Sequence, residues 1–225
     1  MCKGGAVRVG ILGGTGPLGR GLGVRLAAVG VDVVIGSRDA GRAEAAAAEL
    51  RRAWPSKHLS VGGAGNEEAA GSDLVVLATQ WDAAVTTARI LEPHLRAKVV
   101  VSVANALVRQ GRELHALVPA RGSLAASVQA VLPGSLVAGA GHHLPAEPLA
   151  DLDEDLEADV LVCADTPAAK QPAMDLFALI PGLRPLDAGS LASAGAIEAF
   201  TAVLATLNIN YKARSTLRLS GLSIP

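Results

Sequence analysis

Short apolar runs rich in valine, isoleucine and leucine recur along the chain: VRVGIL at 7–12, VDVVIG at 31–36, LVVLAT at 74–79, KVVVSV at 98–103 and DVLVCA at 159–164. Such continuous runs, with little polar alternation, mark strands buried on both faces, as in parallel sheets. Together with the weaker runs they predict strands at 7–12, 31–36, 59–62, 73–78, 98–102, 135–140, 158–163 and 183–187. The intervening segments are rich in Ala and Leu. Between the first two strands Leu18, Leu22, Leu26 and Val29 recur at helical spacing, giving one stripe that can bury itself on a sheet. Further helices are predicted at 39–53, 82–92, 109–117, 122–131, 167–179 and 190–207. Alternation of this kind gives an α/β fold, a doubly wound and mainly parallel sheet joined by crossover helices. It stops after Ala188, where one Ala/Leu-rich helix and a polar tail follow. The expected organisation is a nucleotide-binding domain over 1–188 and a small helical unit over 189–225 that closes a cleft.

Composition narrows the function classes. Half of the 225 residues are apolar, enough for a sizeable core. The net charge is −1 and 15 of the 20 basic residues are Arg, scattered without a basic block, so nucleic-acid binding has no support. The apolar runs are far shorter than the roughly 18 residues of a membrane span, and the N-terminus enters a strand too early for an export signal. Two cysteines, Cys2 and Cys163, show no CxxC and no metal-ligand spacing, which suits a reducing cytoplasm and gives no metal site; Cys163 reads as a small core residue. The acidic stretch PLADLDEDLEAD at 148–159 reads as a solvated connection.

The chemistry concentrates at the ends of the predicted strands. The first strand runs into ILGGTGPLGRG, a GxGxxG turn at Gly14, Gly16 and Gly19, with Pro17 suited to the first helical position. Glycines at this spacing allow a tight turn, close approach of backbone N–H groups to a pyrophosphate, and close helix–strand packing, while the helix N-terminus supplies positive potential. The second strand ends in IGSRDAGR. A site for NAD places a carboxylate there to hold the ribose hydroxyls; this sequence has Gly36, Ser37 and Arg38, with Arg42 one helical turn on. A hydroxyl and two guanidinium forks are suited to the 2′-phosphate of NADP, and Asp39 can turn away as the cap of the next helix. The fourth strand ends in LATQW, putting Thr79 and Trp81 near the nicotinamide end; Trp81, with Val85 one turn later, either walls that end or staples its own helix. After the sixth strand comes AGAGHHLPAEP, whose small residues Gly139, Ala140 and Gly141 would admit a flat ring, and where one of His142 and His143 can face the cleft while a structural role stays open for each.

The runs GILGGTGPLGRGLGVRLA, VVIGSR, LATQW, HHLPAEPLADL, VLVCAD, GLRPLDAGSL and LNINYKAR together resemble the NADPH-dependent reductases of the 8-hydroxy-5-deazaflavin coenzyme F-420 (F420), over nearly the whole chain. The resemblance implies a Rossmann domain with a small helical C-terminal domain, a homodimer, and hydride transfer between NADP(H) and F420 as small-molecule coenzymes. It implies that Thr15, Gly16, Pro17 and Leu18 hold the pyrophosphate, that Ser37, Arg38 and Arg42 grip the 2′-phosphate, and that Trp81 and Val85 lie beside the nicotinamide. It places His142, as a stabiliser of the reduced ring, Ala146 and Leu217 near the deazaflavin. Arg42 stands where some members have Lys, Gln80 where some have Pro and His143 where some have Thr; residues 103–132 match poorly and receive no assignment. Lys212, Arg214 and Arg218 are either an exposed basic tail or partners of the coenzyme's anionic end. The residues alone leave open an NADP-dependent imine or ketone reductase and a non-catalytic NADP-binding redox sensor.

Overall fold

A computed structural model of the chain describes residues 7–222; Cys2 lies outside them. In chain order the elements are β1 (Arg8–Leu12), α1 (Pro17–Ala28), β2 (Asp32–Ser37), α2 (Ala40–Ala53), β3 (Val61–Gly65), α3 (Asn66–Ala70), β4 (Leu74–Leu77), α4 (Trp81–Ile90), α5 (Glu92–Leu95) and β5 (Val99–Ser102). There follow β6 (Leu107–Gln110), β7 (Glu113–Ala116), α6 (Leu124–Val131), β8 (Leu136–Gly139), α7 (Ala146–Ala150), β9 (Ala158–Ala164), α8 (Pro167–Ala178), β10 (Leu183–Asp187) and α9 (Ala194–Tyr211). Eight strands form one sheet in the order β10-β9-β8-β5-β4-β1-β2-β3. Six of them, β3 through β8 in that row, run parallel. β9 then pairs antiparallel with β8, and β10 parallel with β9.

Alternation along the strands fills two cores. Val9, Ile11, Val33, Ile35, Val76 and Val101 belong to one, with Leu22, Leu26, Leu50 and Phe177 from α1, α2 and α8. Their neighbours Leu12, Val34, Val75, Leu77 and Val100 point to the other, with Leu95, Leu124 and Val128 from the opposite layer of helices. The sheet is thus covered on both faces, as the doubly wound reading expects.

The helix expected at 109–117 is instead the hairpin β6–β7, which pairs Leu107 with Ala116 and Gln110 with Glu113. Only Gly111 and Arg112 link the strands, and Gly111 has φ +62°. A two-residue link that needs positive φ is a hairpin signal stronger than the helical spacing of Leu114 and Leu117. β7 then alternates exposed Glu113 and His115 with half-buried Leu114 and Ala116. The half-buried side faces α9: the Leu114 amide donates to Thr206 Oγ1 at 3.0 Å. The helix α9, with its short 3-10 entry, is long and apolar enough to cross a membrane by length and composition. It carries buried Glu198, which accepts from the Leu124 and Ala125 amides (2.8 and 3.1 Å) and ties the helix to the fold.

In the acidic stretch 148–159 Asp151, Asp153, Asp155 and Glu157 are exposed, as a solvated connection requires, while Leu149, Leu156 and Asp159 are buried and several carbonyls turn inward. Arg25, only 7% exposed, donates from Nε to Leu149 O (3.1 Å) and from Nη2 to the carbonyls of Pro148 (2.7 Å), Glu154 (2.7 Å) and Asp151. Beyond α9 the tail comes back to the start of β9. Thr216 Oγ1 donates to Glu157 O (2.8 Å), the Asp159 amide to Leu217 O (2.7 Å), and the Leu219 amide to the Asp159 carboxylate (2.5 Å). Arg184 closes the knot with a two-pronged contact to the same buried carboxylate at 2.6 and 2.7 Å.

That knot titrates. The Arg184 hydrogen bonds, the Leu219 amide and the charge of Arg218 together hold the Asp159 carboxyl below the usual carboxylate range, against burial, which acts the other way. A depressed folded value means a contribution that is complete above the unfolded value, about pH 4, and is lost as pH falls through the folded one. Amide exchange at Leu219, corrected for its intrinsic rate, is therefore expected to accelerate below about pH 4, and Asp159→Asn should show fast exchange already at neutral pH. Equal protection of Leu219 at acid and neutral pH would rule this out.

Candidate functional site

β1 leads into Gly13, the residue of the turn that takes a positive φ, +73°; a side chain there would lie 2.8 Å from the Thr79 Cα. The tight turn therefore begins one residue before the GxGxxG motif. Gly14 and Gly19 face each other, a Cβ on Gly19 meeting the Gly14 Cα at 2.6 Å, and this is the close helix–strand packing of the motif. Gly16 is different: a Cβ there meets only Gly13 O, at 3.4 Å, so its missing side chain leaves space on the cleft side. Gly16 is also the N-cap of α1, with no side chain bonded to the first-turn amides and Pro17 following. Those amides are left for an anion.

At the tip of β2 the absence of an acid has a steric cause as well as an electrostatic one. A Cβ at Gly36 would meet the Ala69 Cβ at 2.8 Å, Ile11 O at 3.0 Å and Asn66 Oδ1 at 3.1 Å. Ser37 is buried and its Oγ accepts from the Asp39 amide at 3.2 Å. Asp39 caps α2, accepting from the Arg42 amide at 3.1 Å, so its charge is turned onto the helix. Arg38 and Arg42 are exposed, and among the described residues neither forms an ion pair.

These groups line one cleft of about 600 Å³ along the carboxyl ends of the parallel strands, with Thr15, Gly16, Pro17 and Leu18 on its floor, Ser37, Arg38 and Arg42 at one end, and Thr79, Trp81 and Asn105 at the other. Three polar atoms beside it are buried and have no hydrogen-bond partner among the described residues: Asn66 Oδ1, Thr79 Oγ1 and Asn105 Oδ1. Unpaired buried polar atoms cost free energy unless a ligand completes them. Trp81, the first residue of α4 and 38% exposed, is shared with a second cavity of about 640 Å³. Val85 lines that second cavity, with Arg89, Leu117, Val118 and Arg121.

The loop after β8 departs from expectation. Residues 139–144 are all buried, so the small residues there admit the core and not a ring from outside: a Cβ at Gly139 meets Cys163 Sγ at 3.1 Å, and one at Gly141 (φ +70°) meets the Phe177 ring at 2.7 Å. Neither histidine faces the cleft. His142 is 2% exposed with both ring nitrogens unbonded, Nε2 lying 4.0 Å from Glu198 Oε1. Burial, with His143 adding to it, drives its pKa down to about 3, so the ring is neutral at physiological pH. His143 Nε2–H donates to Asp159 O at 2.6 Å. Ala146 opens α7 against α1, its carbonyl 3.0 Å from where Gly21 would carry a Cβ, and the Leu217 carbonyl is held by the Asp159 amide; neither lines the two cavities. Arg214 pairs with Glu147 (2.9 Å) and Arg218 with Asp159 (3.4 Å), so both have partners within the chain. Cys163 is a core residue, as expected, and burial pushes its thiol up to about 11.

Gly13, Asn66 and Asn105 belong to the cleft and escaped the sequence reading. The doubled glycine of GGTG could have flagged the first, and the position of each asparagine just past a strand's carboxyl end the other two.

A family model described as NADP oxidoreductase, coenzyme F420-dependent, matches residues 8–106. The F420-dependent NADP reductase of Methanocaldococcus jannaschii is 35% identical over 224 residues, covering 97% of this chain and 100% of that protein. That of Methanothermobacter thermautotrophicus is 32% identical over 228 residues, with 99% and 98% covered. A crystal structure from Arthrobacter sp. FB24, of a candidate F420-dependent NADP-reductase, superposes with a TM-score of 0.79 at 25% identity, covering 96% of this chain and 100% of that one.

Proposed function

Because this chain belongs to the F420-dependent NADP reductases, we propose that it transfers a hydride between NADP(H) and F420 in the cleft at the strand ends. The observation that carries the NADP part of this reading is the tip of β2, where Gly36 is too crowded to carry an acid and the guanidinium groups of Arg38 and, one helical turn on, Arg42 line the same end of the cleft without ion-pair partners among the described residues. An anion repelling a 2′-phosphate is replaced by cations that attract it. The first-turn amides of α1, reached through Thr15, Gly16, Pro17 and Leu18, take the pyrophosphate, and Gly14 and Gly19 let helix and strand approach closely enough to present them. Ser37, Arg38 and Arg42 take the 2′-phosphate. Thr79 and Trp81 receive the nicotinamide half, with Val85 behind Trp81 on the side of the second cavity.

The deazaflavin supplies a carbon acceptor for two electrons and one hydrogen together, so the reaction is a direct transfer between two ring carbons. What remains for the protein is to hold one ring against the other and to keep water out. His142 is buried and neutral, and we infer that it acts through its backbone: its carbonyl accepts from Asn105 Nδ2 at 2.7 Å.

We assign residues 1–188 to the nucleotide-binding domain and 189–225 to a helical unit beside it, and the chain to the cytoplasm, without membrane or nucleic-acid partners. We also assign a homodimer. Val203, Leu207 and Tyr211 lie four residues apart on α9 and are 52%, 41% and 77% exposed, a stripe that a second copy would cover. Leu207→Glu should convert the species seen in sedimentation to a monomer; a wild-type monomer at micromolar concentration would end that assignment. The reaction itself is tested by mixing the protein with NADPH and oxidised F420: loss of the deazaflavin absorbance is expected, and NADPH binding without that loss would refute the reading.

A further inference from the structure

We propose that Asn105 orients the nicotinamide ring by accepting a hydrogen bond from the carboxamide NH2 of NADP(H), opposite a contact from Thr79 to the carboxamide oxygen. The proposal rests on reading the cleft as the NADP site and deepens it at the end where no residue has been assigned.

Asn105 follows β5 by three residues, beside the tip of β4, and lines the cleft with Thr79 and Val103. The direction of its amide is fixed by chemistry: the group 2.7 Å from His142 O must be Nδ2, because a carbonyl cannot accept from another carbonyl. Oδ1 therefore points elsewhere, and it is buried with no donor among the described residues. Thr79 Oγ1 lies at the same end of the cleft and is also buried and unpartnered. One obligate acceptor and one hydroxyl able to donate make the complement of a primary carboxamide, which offers an NH2 and a carbonyl side by side. The third unpaired atom, Asn66 Oδ1, does not compete, since it lies under the β2 tip, 3.1 Å from the position of a Gly36 Cβ. The carbonyl that holds Asn105 belongs to the fully buried loop 139–144, where Gly141 takes φ +70°. The anchor is rigid, which a group that selects one ring orientation requires.

The 3-acetylpyridine analogue of NADPH keeps the carbonyl and lacks the NH2. Wild-type protein should use NADPH about tenfold to a hundredfold better than this analogue in kcat/KM, the range for leaving one buried acceptor unpaired. Asn105→Ala should lower that ratio about tenfold or more relative to wild type, a comparison in which the intrinsic reactivity difference of the two coenzymes cancels, while binding of adenosine 2′,5′-bisphosphate, which has no nicotinamide, stays as in wild type. An unchanged ratio in Asn105→Ala overturns the proposal. Failure of wild type to bind the bisphosphate would instead remove the NADP reading and the proposal with it. Should the variant not fold, NADP+ labelled with 15N in the carboxamide answers on the wild-type protein: one amide proton should move downfield on binding, and an unshifted pair of amide protons overturns the assignment.

Discussion

Replacing Arg38 and Arg42 together by alanine is expected to weaken NADPH binding by about a hundredfold and to leave NADH binding within about twofold of wild type. Each guanidinium can form charge-assisted hydrogen bonds worth roughly 1.5–3 kcal/mol apiece, and both side chains are exposed, so screening places them at the low end, about 3 kcal/mol for the pair. The same screening gives a second signature. NADPH affinity of the wild type should fall as salt rises, and that of the variant should barely respond. Titration calorimetry with adenosine 2′,5′-bisphosphate and adenosine 5′-monophosphate isolates the phosphate from the rest of the coenzyme. Equal affinity for the two ligands in wild-type protein would contradict the account of the β2 tip.

Arg25→Met is the second large effect, on stability and not on binding. The arginine is 7% exposed and donates to four carbonyls that belong to α7 and the acidic turn beyond it. Burial pulls its pKa down while Asp151, Glu154 and Asp155 oppose this, and the guanidinium stays charged. Methionine keeps the stem and strands the carbonyls, for a loss of about 3 kcal/mol, or roughly 6–12 °C in Tm for a chain of this size. Arg25 sits near the C-terminal end of α1, away from the amides at Gly16, so affinity for adenosine 2′,5′-bisphosphate should be preserved in the folded variant. A Tm within about 2 °C of wild type would show that water replaces these bonds at little cost.

Much of the architecture was legible because strands buried on both faces write themselves as unbroken apolar runs, and each crossover helix carries a stripe at its own period. The phosphate turn and the two arginines were legible for a related reason: their chemistry depends on short local spacing. Contacts that close over a long stretch of chain left no such mark. The return of the tail to Asp159 joins residues about 60 apart, and nothing local to Leu217 announces it. The histidines show a different limit. Spacing says that His142 and His143 point apart, but not that the whole loop is enclosed, because the walls, Phe177 and Glu198, come from α8 and α9. The hairpin β6–β7 lies where a helix was expected at 109–117: Leu114 and Leu117 are spaced as in a helical turn, while Gly111, with φ +62°, carries the contrary instruction. Asn66 and Asn105 belong to no repeat and no motif; each became visible once the fold had brought an unpaired oxygen to the cleft.

The crowding under Gly36 bears on how this protein could change its diet of coenzymes. The usual exchange, an aspartate installed on the second strand to favour the unphosphorylated dinucleotide, is closed here, since any side chain at that position collides with Ala69 and Asn66. The acid would have to enter at Ser37 and displace its contact with the Asp39 amide, with both arginines removed as well. Selection and protein engineers alike face three coordinated replacements, and the intermediates would serve neither coenzyme well.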